Sequence, residues 1–302
     1  MNRSDSDQIA RARRMWQALE PYHTVTYFAP ESRAATTELG CKGGWMSYFA
    51  LRAAPLGAVS AQVVAATFYN FHPSMVSRSI PAAWLAARPD AYLAVRLSSV
   101  DAALRRLLGS DVDSAELAEL AELTRAAATA APVAGRPLAA ANAALDWPDE
   151  PHLVLWHAQT LLRESRGDGH VAALVSADLG PCEALVAFAA DGRAVPDALR
   201  QIRGWSAEEW EAAAERLVDR GLLDGGGALT EAGTDLRRWV EDTTDLGVRS
   251  AWAALGDQHC ERVVELVNPV VEKIVANGGF FAGNPMGLKP LVQAAGASRS
   301  GE

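Results

Sequence analysis

Alanine is very frequent in this chain, and Ile, Val, Tyr and Phe are not gathered into the alternating runs that a half-buried strand needs. That combination favours a mostly helical protein, because alanine has the best helix propensity and alternation is what marks a strand. With 302 residues the chain is long enough for two domains with a core each. An apolar fraction of 49% against 22% charged residues is the balance of an ordinary globular protein. No apolar run reaches the roughly 18–20 residues that span a bilayer, and the polar first residues lack the apolar core of a signal peptide. Cys41, Cys182 and Cys260 are far apart, with no CxxC, so neither a disulfide framework nor a zinc knuckle is expected. A reducing cytoplasm is the expected location. The net charge of −9 disfavours a polyanionic partner and leaves room only for a local basic patch.

Punctuation by Pro and Gly divides the chain into halves. Residues 1–134 read as an N-terminal helical half and 135–151, rich in Pro and acids, as a linker. Residues 152–256 form a second half, and 257–302 a C-terminal helix and tail. In the second half His152–Glu164 reads as one helix. The Gly167-Asp-Gly169 stretch then reads as a turn from which Asp168 caps the next helix. Ser206–Leu222 is a long amphipathic helix whose buried stripe is expected at Trp210, Ala214, Leu217 and Val218. The two halves can be laid over one another, Gly44–Gly57 against Gly167–Gly180 without a gap. The fold expected is therefore mainly α, two tandem degenerate winged-helix-like halves with at most a short β-wing.

The stretch Ser206 to Leu223, a Gly turn, and then Ala228-Leu-Thr-Glu-Ala-Gly233 resembles MarR-type winged-helix regulators over about 60 residues. In them this helix reads DNA and a β-wing follows. Here the solvent side of that helix carries Glu208, Glu209, Glu211, Glu215 and Asp219 against Arg216 and Arg220, and the wing Asp224–Gly227 has no cation. A groove-reading helix must face phosphates, so DNA binding is disfavoured. In the first half the equivalent helix, Pro89–Leu108, places Arg96, Arg105 and Arg106 late. Over its whole length the chain resembles the SalK-like family of actinobacterial helix-turn-helix proteins. The likeness rests on Tyr27–Glu31, Tyr48–Gly57, Phe68–Pro73, Gly135–Leu138, Leu162–His170, Gly204–Ser206 and Asn284–Gly287. Ser165 stands where many of those relatives have a histidine. The resemblance implies the architecture, and by association a place in specialised metabolism.

The chemistry is concentrated in Arg163, Glu164, Arg166, Asp168 and His170, a cluster with no counterpart in the first half. Guanidinium forks suit a carboxylate or phosphate, and His170, oriented by Asp168, could act as acid, base or donor. The competing account has Asp168 capping a helix and the arginines in inter-repeat ion pairs. Arg52 lies in an otherwise apolar helix and needs a buried partner, Glu31 or Glu164. Tyr69 and His72 end an apolar helix before Pro73. A pocket between the halves is thus expected, with His170 and Asp168 as its reactive pair and Arg163, Glu164, Arg166, Arg52, Tyr69 and His72 holding a small, anionic molecule. Substitution of Arg166 or His170 by Ala should then abolish binding and leave the melting temperature within a few degrees. No metal-binding spacing, phosphate loop or serine elbow occurs, and a cofactor is left unknown by the sequence. Three readings remain open: a small-molecule-binding protein or enzyme on a scaffold that has lost DNA binding, a MarR-like regulator, and a helical interaction module for pathway enzymes.

Overall fold

The computed structural model describes residues 3–280 and 287–288; residues 284–286 of the Asn284–Gly287 motif lie outside them. Among the described residues 76% are helical and no strand is present. The nearest feature to a wing is a single antiparallel bridge between Leu223 and Leu229, with Asp224 N–H donating to Ala228 O at 2.9 Å.

The central core is shared by both halves of the chain. It gathers α1 (Arg3–His23), α8 (Pro89–Leu108), α9 (Ala115–Thr129), α11 (Pro151–Ser176), α16 (Arg249–Leu255) and α17 (Asp257–Ala276). Trp156, Tyr22, Met15 and Leu104 are among its fully buried side chains. Two smaller units sit on it. One packs α4 (Gly43–Ala53), α5 (Ala61–Phe68), α6 (Pro73–Ser77) and α7 (Ala82–Ala86) around Phe49, Val64 and Phe68. The other packs the end of α11 with α12 (Pro181–Ala190), α13 (Pro196–Arg203), α14 (Ala207–Asp219) and α15 (Glu231–Leu246) around Leu174, Val186 and Leu217.

The helix α11 runs for 26 residues straight through Gly167-Asp-Gly169, where a turn was expected. Each glycine costs a helix roughly 1 kcal/mol relative to alanine, and tertiary packing overrides that penalty. A Cβ at position 169 would lie 3.3 Å from the Arg136 guanidinium, so Gly169 serves a close approach rather than a bend. Arg136 donates from Nε to Ser165 O and from Nη2 to Gly247 O, both at 2.9 Å. Asp168 does cap a helix, but a distant one. Its Oδ2 accepts from the N–H groups of Leu138 and Ala139 at 2.9 and 3.0 Å, the free donors at the start of α10 (Pro137–Ala143). The stretch 135–151 therefore contains a helix with Leu138, Ala139 and Asn142 buried.

In the C-terminal unit local signals and structure agree closely. Ser206 and Glu209 form a reciprocal capping box on α14, at 3.1 and 2.9 Å. Thr230 caps α15 by accepting from Gly233 N–H. Gly233 is obligatory, because a Cβ there would fall 2.0 Å from Leu222 O. The buried stripe of α14 is narrower than expected: Ala213 and Leu217 are buried, Trp210 and Ala214 only partly so, and Val218 is exposed.

Candidate functional site: an arginine-lined cleft between the two smaller units

A cleft of about 230 Å³ opens where the two smaller units meet over α1 and α11. The joint is cross-linked by hydrogen bonds on both sides of position 70. Tyr69 Oη donates to Leu179 O at 2.6 Å, Trp205 Nε1 to Asn70 O at 3.0 Å, and His72 N–H to Arg203 O at 2.9 Å. Tyr69 adopts φ 52°, ψ −65°, and Asn70 N–H closes a three-residue turn on Phe68 O at 2.7 Å. That γ-turn is costly for a residue with a side chain, and here it ends α5 and turns Asn70 and Phe71 into the cleft wall.

Five of the expected residues line the cleft: Arg52, Tyr69, Arg163, Arg166 and His170. The other three stand elsewhere. Glu164 lies behind the wall, 2% exposed, and accepts from Arg52 Nε and Nη2 at 3.0 and 2.8 Å and from Arg163 Nη1 at 3.1 Å. Of the two partners anticipated for Arg52 it is thus Glu164 that pairs, while Glu31 takes Arg106. Asp168 faces α10, as described. His72 points away, its Nε2 2.9 Å from Glu209 Oε1 and its Nδ1 2.7 Å from Ser74 Oγ. It caps the start of α6 rather than ending α5.

Other lining residues had not been singled out. Arg203 and Arg237 add two guanidiniums, and Phe71 and Phe188 supply the rings beneath them, at 4.5 and 5.6 Å from the guanidinium carbons. Their sequence signal was thin. Arg203 immediately precedes Gly204-Trp-Ser, and Arg237 looks like one more charge on an amphipathic helix. Glu20 on α1 was missed for the same reason; it accepts from Arg163 Nε at 2.7 Å.

Arginine–carboxylate pairing dominates the electrostatics. Burial works to raise the Glu164 pKa, and Arg52 and Arg163 overcome it and hold the carboxylate at about 2. Glu241 is likewise pushed up by burial and brought down to about 2 by Arg166, His170 and Arg237. Burial raises Glu20 and Asp245, against the pull of Arg163 on the first and of Arg166 and Arg13 on the second. His170 is driven down to about 4, first by burial and then by Arg166 and Arg237 against the opposing Glu241. It is therefore neutral at pH 7. Thr244 commits its hydroxyl proton to Val240 O at 2.7 Å, so at 2.9 Å from His170 Nδ1 it can only accept. The proton is thereby assigned to Nδ1, and Nε2 is left as an acceptor. Burial pushes Asp168 up to about 6, with the Ala139 N–H opposing. An Asp168–His170 acid–base pair is not assembled, because each group is engaged by a different partner.

Two donors and one acceptor of the cleft remain unmet among the described residues: Arg203 Nε, Arg237 Nε and Asn70 Oδ1, all buried. No three His, Cys, Asp or Glu side chains converge as metal ligands among the described residues. No single described helix is long and apolar enough to cross a membrane.

The helices α12, α13 and α14 follow one another and lead into the bridged turn between Leu223 and Leu229. A family model described as a helix-turn-helix family matches residues 12–281, and the chain belongs to that family. The chain matches no curated protein and no solved structure.

Proposed function

We propose that this helix-turn-helix protein is a cytoplasmic small-molecule-binding protein of specialised metabolism, with an anionic ligand held in the cleft between its two smaller units. One observation carries the proposal: five arginines, Arg52, Arg163, Arg166, Arg203 and Arg237, converge on a single concave site in a chain whose net charge is −9. Its volume is that of roughly eight waters, the scale of a small metabolite rather than of a polymer. The site is also preorganised. Four of the five guanidiniums are fixed by carboxylates behind them, so little side-chain entropy remains to be lost on binding.

Membership of a helix-turn-helix family favours a second reading, a DNA-binding regulator whose effector occupies the same cleft. The surface of α14 argues against it. Glu208, Glu211, Glu215 and Asp219 are exposed, while Arg216 is paired to Glu183 and Arg220 is held on Asp178 O. In the first half α8 is packed into the core, with Arg96 bonded to Asn142, Arg105 to Asp101 and Arg106 to Glu31. Two measurements decide between the readings. A thermal-shift screen of anionic metabolites should find a stabilising ligand, since binding at a hundred times Kd adds about 2.7 kcal/mol. Anisotropy of a mixed-sequence duplex at low salt should show no binding at tens of micromolar; salt-sensitive binding there would instead establish the regulator.

A further inference from the structure

Building on the anion-cleft reading, we infer that the ligand is a small monocarboxylic acid with an apolar, ring-sized body, and that Arg203 takes its carboxylate. The charge count sets the ligand's charge. Five guanidiniums converge on the cleft, and four carboxylates, Glu20, Glu164, Glu241 and Asp245, stand against them at 2.7 to 3.4 Å. Arg13 also reaches Asp245 and Asp191 also reaches Arg237, but Arg13 brings Asp242 and Asp191 brings Arg193, so counting these two pairs leaves the balance unchanged. One positive charge is left over, which complements a monoanion. A phosphate ester carries roughly −1.5 to −2 at neutral pH and would leave a desolvated negative charge behind.

The surplus belongs to Arg203. Unlike the other four it has no carboxylate partner among the described residues, and its Nε is shut off from solvent without an acceptor. The guanidinium is nevertheless immobilised. It lies on the Phe71 ring, and the backbone that carries it is pinned by His72 N–H and closed by the left-handed Gly204. Its fork is thus preset for a planar, two-oxygen group. Val171, Leu174, Leu185 and Phe188 also line the cleft, apolar surface that calls for an apolar body. Asn70 Oδ1 and the acceptor nitrogen of His170 are cleft acceptors that a hydrogen-bond donor on the ligand body could meet.

The test is calorimetry of the full-length protein with phenylacetate, 4-hydroxyphenylacetate, phenyl phosphate, phthalate and phenethylamine, repeated on Arg203→Met and Arg203→Lys. Expected are binding of the two monocarboxylates ahead of the dianions, none of the amine, and a loss of about ten- to a hundredfold on Arg203→Met with partial recovery by lysine. The melting temperature should not move, because Arg203 has no carboxylate to leave behind. Preference for phenyl phosphate or phthalate would overturn the monocarboxylate inference while upholding the anion cleft. Monocarboxylate binding indifferent to Arg203→Met would overturn its assigned role. Binding of no anion in the set would bring down both this inference and the reading on which it rests.

Discussion

Replacing Glu164 by Gln tests the electrostatic logic of the cleft in one step. The carboxylate is 2% exposed and accepts three guanidinium hydrogen bonds, two from Arg52 and one from Arg163. Its pKa falls from an ordinary 4.5 to about 2. At about 1.4 kcal/mol per unit, the ionised form contributes roughly 3 kcal/mol to folding. That agrees with the roughly 3–5 kcal/mol lost when one partner of a buried ion pair is removed. Glutamine keeps one acceptor oxygen but turns an amide donor toward the guanidiniums. Because the folded pKa is depressed, the contribution is present above pH 4.5 and is lost as pH falls through 2. Urea unfolding should therefore show Glu164→Gln less stable by about 3 kcal/mol at pH 7. Near pH 2 the two proteins should converge, the parent having lost what the variant never had. Equal stability at pH 7 together with parallel acid limbs would refute the claim that Arg52 and Arg163 hold this carboxylate ionised. The variant should also bind small anions at least as tightly as the parent, since Arg52 loses its partner and stays in the wall.

Three further outcomes follow from the same contacts. His170 has its folded pKa lowered to about 4 from 6.5, so its contribution is full above pH 6.5 and lost as pH falls to 4; His170→Gln should flatten the stability profile across that window in pH-dependent melts. Asp168→Ala strands the N–H groups of Leu138 and Ala139 and should cost about 2 kcal/mol in denaturant unfolding, whereas Asp168→Asn, which keeps an acceptor, should cost far less. Arg166→Ala should not leave the melting temperature within a few degrees, contrary to the expectation from sequence. Arg166 pairs with the fully buried Asp245 and with Glu241, and its loss should destabilise by about 3 kcal/mol, seen as a clear drop in calorimetric melting temperature.

The sequence by itself determined the local structure and the raw material of the site. Helical content was legible because alanine, Pro at first turns and cap residues such as Ser206 and Thr230 act within a few positions of themselves. The concentration of Arg163, Arg166 and His170 marked the face of α11 that lines the cleft, since residues three and four apart share one side of a helix. Only the tertiary structure decided what each of these side chains does. The Gly167-Asp-Gly169 stretch looked like a turn, and at Gly169 the close passage of a distant Arg136 leaves no local trace. Asp168 looked like half of a reactive pair and Glu164 like a ligand contact or a partner of Arg52, and it took α10 and Arg52, about 30 and 112 positions away, to engage them. Arg203 looked like one more charge at a helix end; its distinction is the missing carboxylate, a property of everything packed around it. Charge compensation in a cleft is a sum over helices brought together from the whole chain, and a linear pattern contains its components without their distances.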